Sequence, residues 1–154
     1  MNQPGSKPYD ISKQVVATAF EKVRSKKGAP GVDGVTVEQF AQNFKNNLYK
    51  LWNRMSSGSY FPPPVKAVEI KKAGGGTRTL GIPTVADRIV QTVVKMVLEP
   101  LLEPVFDADS YGSRPKKSAH QALATARERC WRQDWVIDLD IKGFFDSLDH
   151  DLIM

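Results

Sequence analysis

The sequence predicts an α+β chain, rich in helix and carrying one β-hairpin. Three observations carry that expectation. Apolar residues recur at helical spacing in several separated stretches, and a Gly74-Gly75-Gly76 triplet divides two alternating runs. No βαβ rhythm links these elements, which argues against a parallel sheet.

In chain order, residues 1–10 are polar and rich in Pro and Gly, and read as a loose arm. From Ile11 to about Lys26, the positions Val15, Val16, Ala19, Phe20 and Val23 repeat with helical period. Gly28-Ala29-Pro30-Gly31-Val32-Asp33-Gly34 breaks that helix with a turn-rich loop. Thr36 with Gln39 has capping-box spacing and opens a second helix, expected to run to about Met55. Ser56-Ser57-Gly58-Ser59 ends it, and Pro62-Pro63-Pro64 makes a stiff connector. Val65 to Lys72 and Thr77 to Ile82 form the hairpin. Pro83 and Thr84 then open a helix with Ile89, Val90, Val93, Val94, Val97 and Leu98 on one face, ending near Pro100. Ser118 with Gln121 caps a further helix carrying Leu123, Ala126 and Cys130. Trp135 to Ile141 reads as a buried strand, and a short helix is expected after Gly143.

Composition narrows the function classes. The chain has 154 residues, 41% apolar and 25% charged, a globular balance. Its net charge of +5 favours polyanionic partners. A single cysteine excludes an intramolecular disulfide, and Cys130 reads as a buried thiol. The histidines His120 and His150 lie too far apart for zinc-ligand spacing. No apolar run reaches membrane-spanning length, and the N-terminus lacks the apolar stretch of a signal peptide. A soluble, intracellular protein with no membrane partner is expected.

Two constellations carry chemistry. On a strand, side chains alternate with period two, so Asp138 and Asp140 share a face. Two carboxylates on a buried face repel unless a cation compensates, and a divalent metal such as Mg²⁺ takes hard oxygen ligands. The alternative is a pair of acids at an exposed edge. Gly143 permits close backbone approach, Asp146 adds an acid or caps the helix there, and Phe144 reads as core. In the hairpin, a turn centred on Gly75 would set Lys72 opposite Arg78. Two cations at a mobile tip suit a triphosphate, gripped bidentately by Arg and by Lys as a point charge, although for such a hairpin taken alone a solvated basic tip is the readier reading. Elsewhere basic residues (among them Lys26, Lys27, Lys50, Arg54 and Arg114) interleave with Tyr60, Phe61, Tyr111, Trp131 and Trp135. Phosphate contacts beside stacking surfaces are what RNA binding requires.

Taken in order, four segments resemble the reverse transcriptases encoded by bacterial group II introns, also called maturases. They are residues 27–34, residues 78–91 (RTLGIPTVADRIVQ), Tyr111-Gly112-Ser113-Arg114-Pro115 with Ser118-Ala119-His120, and residues 140–146 (DIKGFFD) with Asp149-His150. The resemblance covers nearly the whole chain. It implies a right-hand polymerase: a flexible arm at 1–10, a helical extension of the fingers at 11–60, fingers at 61–133 and the start of the palm at 134–154. It implies that Asp140 is a catalytic metal ligand assisted by the Ile141 carbonyl, with Asp138 behind it. By the same likeness Lys72 and Arg78 hold the incoming nucleotide's phosphates, Phe145 selects deoxy sugars, and Arg114 lies near the nucleotide pocket. Ser113 departs from the Phe or Tyr more usual there. Lys26, Lys27, Gly31, Val32, Asp33 and Gly34 match a region that contacts template or intron RNA.

The implied activity is RNA-directed DNA synthesis in a bacterial cytoplasm, with Mg²⁺, dNTPs, an RNA template, a DNA primer and intron RNA. Two-metal phosphoryl transfer needs several carboxylates, and the family draws them from a Tyr-Ala-Asp-Asp hairpin. No adjacent Asp-Asp pair occurs here, so the 154 residues alone are expected to be inactive. An unpaired palm strand would favour a homodimer. The rival readings are an RNA-binding splicing factor without polymerase activity, and an Asp-x-Asp sugar-nucleotide glycosyltransferase. The second explains the acids but not the cationic hairpin.

Overall fold

Ser12 starts the first helix by accepting the Val15 N–H at 3.2 Å, and α1 runs from Lys13 to Ser25. Its buried residues Val16, Ala19, Phe20 and Val23 fall at the spacing that puts one stripe inward. The structure is a computed structural model that describes residues 7–153. The side chains of Phe145, Asp146, His150 and Ile153 lie outside the described residues, as do residues 1–6 of the expected arm. The rest of that arm is fastened: Tyr9 N–H donates to the Ser56 carbonyl at 3.2 Å, and the Trp52 indole donates to the Ile11 carbonyl at 2.6 Å.

The capping box forms as expected, with Gln39 N–H on Thr36 Oγ1 at 3.2 Å and Thr36 N–H on Gln39 Oε1 at 2.9 Å. The single helix expected from there to Met55 is instead two, α2 over Val37–Gln42 and α3 over Phe44–Ser56. Asn43 makes the break at φ −118° and ψ 42°, and the Asn47 side-chain amide takes up the freed Phe40 carbonyl at 2.9 Å. The bend brings two rings onto Phe20, Phe40 at 5.7 Å and Phe44 at 5.2 Å between centroids.

Strands β1 (Lys66–Lys71) and β2 (Thr77–Ile82) pair antiparallel as a two-stranded sheet. Helix α4 follows over Val85–Leu102, capped by Thr84, which accepts the Asp87 N–H at 3.2 Å. It passes through Pro100 and ends in a 3-10 turn over Glu103–Val105. Val85, Ile89 and Val93 of α4 meet Val16, Phe20 and Val23 of α1 in one core, which Leu48, Leu51 and Met55 of α3 complete. Each such side chain contributes about 1.5–3 kcal/mol on burial.

The chain divides into two compact units, the first ending at Val105 and the second beginning at Phe106. The second contains α5 (Ala119–Cys130), α6 (Phe144–Ser147) and α7 (His150–Ile153). The Ser118–Gln121 capping box is present on α5 and the short helix after Gly143 forms. Three expectations fail here. Cys130 is exposed, not buried, because α5 has no buried face for it to join. Phe144 is 44% exposed and is not core. The buried strand expected over Trp135–Ile141 is absent; the segment is irregular and exposed throughout. A strand exists only when a neighbouring backbone takes its N–H and C=O groups, and no described residue pairs with this one.

Helix-rich with one antiparallel hairpin, the chain is α+β. No helix among the described residues is long and apolar enough to cross a membrane.

Candidate nucleotide and nucleic-acid site

The loop after α1 is held at both of its turns. Lys26 caps α1, and Lys27 adopts a left-handed φ of 44°. The Arg88 guanidinium on α4 donates to the Ala29 carbonyl. Gly31 is buried against the start of α4, where an added Cβ would sit 2.7 Å from Thr84 N and Cα and 2.9 Å from Pro83 C. Gly34 N–H returns to the Gly31 carbonyl at 3.2 Å, and Asp33 accepts the Val35 N–H at 3.2 Å. Val32, Asp33 and Gly34 are exposed, as are Lys26 and Lys27, so five of the six residues expected at an RNA contact are accessible and the sixth, Gly31, is buried. Because backbone, not a flexible side chain, fills the space next to Gly31, Gly31→Ala is expected to cost about 1–3 kcal/mol. A lowered thermal midpoint of the 154-residue chain checks this.

Pairing in the hairpin corrects one expectation. Ile70 faces Arg78, Lys71 faces Thr77, and Lys72 N–H donates to the Gly76 carbonyl at 3.0 Å. The turn therefore centres on Gly74, and Lys72 is not opposite Arg78. The shift is two residues, which preserves the face; Lys72 is a diagonal neighbour of Arg78, a separation of roughly 7–8 Å in a regular ladder. Both cations are exposed, and Gly75 and Gly76 take φ of +91° and +78° in the turn.

In the second unit, Arg114 donates to the carbonyls of Asp107 and Ser110 (3.0 Å for the latter), and its guanidinium lies 5.3 Å from the Phe106 ring centroid. It binds its own loop together. Lys117 does the same, donating to the Ala108 carbonyl at 2.7 Å, and Arg129 pairs with Asp109 at 2.7 Å. Asp138, Asp140 and Ile141 all lie in the exposed 136–141 segment. Gly143 turns the chain into α6 with φ +63°. Phe145 falls on α6, with its side chain outside the described residues.

Sequence reasoning assigned no role to Asp87 and Arg88, although both lie within a matched motif. Asp87 is 4% exposed and accepts from the Tyr60 hydroxyl at 3.0 Å and the Gln91 amide at 2.8 Å. Burial first, and the Asp87 carboxylate second, hold the Tyr60 hydroxyl well above the usual phenol range, so it stays a proton donor. The available signal was an acid three residues after a Thr cap, a position that helix amides favour.

A family model described as reverse transcriptase (RNA-dependent DNA polymerase) matches residues 70–154. The chain belongs to the reverse transcriptase family. It is 35% identical over 145 residues to the group II intron-encoded protein LtrA of Lactococcus lactis subsp. cremoris, covering 92% of this chain and 24% of LtrA. Protein YkfC of Escherichia coli (strain K12) is 39% identical over 146 residues, covering 90% of this chain and 38% of YkfC. A putative COX1/OXI3 intron 1 protein of Saccharomyces cerevisiae is 31% identical over 138 residues, 88% of this chain and 16% of that protein. The chain thus spans about a quarter of LtrA's length.

Reverse transcriptases use divalent metal ions, and the donors of this chain are a partial fit. Asp140 and the Ile141 carbonyl offer the hard oxygens that such ions take. Among the described residues, however, no three His, Cys, Asp or Glu side chains gather as a ligand set. One or two carboxylates hold a hydrated ion but not a two-metal centre. The described residues of this reverse transcriptase segment do not complete that centre.

Proposed function

We propose that the chain is the fingers and the start of the palm of a group II intron reverse transcriptase, an RNA-directed DNA polymerase and maturase of the bacterial cytoplasm. Its partners would be intron RNA, an RNA template with a DNA primer, and dNTPs, with Mg²⁺ as the metal. The glycine loop carries the reading: Lys26 to Gly34 presents cations and exposed backbone on a base fixed by Gly31 and Arg88. The family match supports it independently. In this reading Lys72 and Arg78 grip the triphosphate, the second bidentately. Arg114 shapes the nucleotide pocket through the loop it ties together, Phe145 reads the sugar, and Asp140 with the Ile141 carbonyl binds metal.

The 154-residue chain should bind RNA with an affinity that falls steeply as salt rises, by a log–log slope set by the phosphates it neutralises. Affinity indifferent to salt, measured by fluorescence anisotropy, would overturn the reading. The same preparation should extend no primer, because its described acids do not assemble a two-metal centre.

A further inference from the structure

A recess of about 430 Å³ opens beside the glycine loop, between that loop, α3 and the segment leading to the hairpin. Lys50 and Arg54 stand on its α3 wall one helical turn apart, both exposed. No carboxylate lies within ion-pair distance of either among the described residues. Two like charges at that spacing repel, a cost that a bound anion removes. Asp33 is the one acid lining the recess, and its Oδ1 already accepts the Val35 N–H.

Two aromatic residues, Tyr60 and Phe61, also line the recess. Arg54 lies 5.5 Å from the Tyr60 ring centroid, and the Tyr60 hydroxyl is fixed by buried Asp87. Phe61 follows with 75% of its surface exposed. An exposed phenyl ring costs hydration and contributes nothing to the core, yet this one lies at a recess rimmed by unpaired cations. A base stacked on Phe61 with phosphates on Lys50 and Arg54 satisfies both features, which is how single strands are held. A protein surface would need acids matching the cations, and an isolated phosphate would leave the ring bare.

We propose that Lys50, Arg54 and Phe61 form a single-strand RNA subsite, with Asp87 a positioning residue that holds its Tyr60 wall. The proposal rests on the reverse transcriptase reading for its choice of RNA, and adds a contact on α3 that lies outside the glycine loop.

The test is anisotropy of the 154-residue chain with a labelled single-stranded oligouridylate of about twelve nucleotides, a length suited to single-strand grooves. Lys50→Gln/Arg54→Gln should weaken binding about tenfold and lower the salt slope by about two. Phe61→Ala should weaken it about tenfold with the slope unchanged, since stacking releases no counterions. Binding of a duplex of the same length should not respond to Phe61→Ala, because its bases are already stacked. All three positions are exposed, so the fold should be retained, with far-ultraviolet circular dichroism as the check. Photocrosslinking of a 4-thiouridine strand to Phe61 gives a readout that needs no variant.

Unchanged affinity in both variants, with a loss in Lys26→Gln/Lys27→Gln, would overturn the subsite and leave the loop reading standing. An equal effect of Phe61→Ala on duplex and single strand would also overturn it. Failure of the unmodified chain to bind RNA at all would remove both proposals together.

Discussion

Asp140→Ala is expected to abolish DNA synthesis in a polymerase made by joining this chain to the remaining length of the Lactococcus relative. A metal-bound carboxylate stabilises developing charge by several kcal/mol, and about 4 kcal/mol corresponds to roughly three decades in rate. The loss should appear in the rate of nucleotide addition at saturating dNTP, while RNA affinity stays within about twofold, because Asp140 carries no positive charge toward phosphate. Asp138→Ala should do less, since Asp140 alone occupies the motif position. Rescue would be partial at most in Asp140→Glu, whose longer side chain displaces the oxygens by about a bond length. Full synthesis by Asp140→Ala, read in a primer-extension assay, would remove Asp140 from the metal site.

Phe20→Ala should be the most damaging single change to the fold. Phe20 is 1% exposed and meets Phe40 and Phe44 across the break between α2 and α3. It also lies in the core that joins α1 to α4. Truncation of a buried Phe costs about 3–5 kcal/mol, against a total stability of order 5–15 kcal/mol for a domain. Chemical denaturation followed by circular dichroism should show the midpoint falling sharply, or no folded baseline. Leu123→Ala on α5 is the comparison: at 68% exposure it should change stability by no more than about 0.5 kcal/mol. Equal effects from the two would mean that the core does not centre on Phe20.

What was legible in the sequence was local. Thr36, Thr84 and Ser118 announce helix starts because a cap needs only residues within one turn, and all three accept a backbone N–H from three residues on; Ser12 caps α1 in the same way but was not read as a cap. The inward stripe of α1 followed from period alone. The break at Asn43 did not, because it is decided by where Phe40 and Phe44 meet a ring on another helix. Hairpin register was missed by two residues, since three successive glycines admit several turns and only the pairing of β1 with β2 selects one. The Trp135–Ile141 pattern was read as a buried strand and is instead irregular and exposed, because a strand is a property of two chain segments and not one. Of the candidate site, the loop residues were found by motif, whereas Lys50, Arg54 and Phe61 converge only when α3 is placed beside that loop.

The exposed segment from Trp135 to Ile141 has a second consequence, for solubility. Five of its seven residues are large and apolar, and all five are at least 68% exposed. Such a stretch is the kind that stacks, copy upon copy, into fibrils. Asp138 and Asp140 interrupt it at alternate positions, so in-register stacking would bring like charges about 4.8 Å apart along each ladder. Both acids are therefore placed to act as gatekeepers against self-association, whatever else Asp140 does. Removing one of them, as in Asp138→Ala, should raise the turbidity of a concentrated solution at neutral pH.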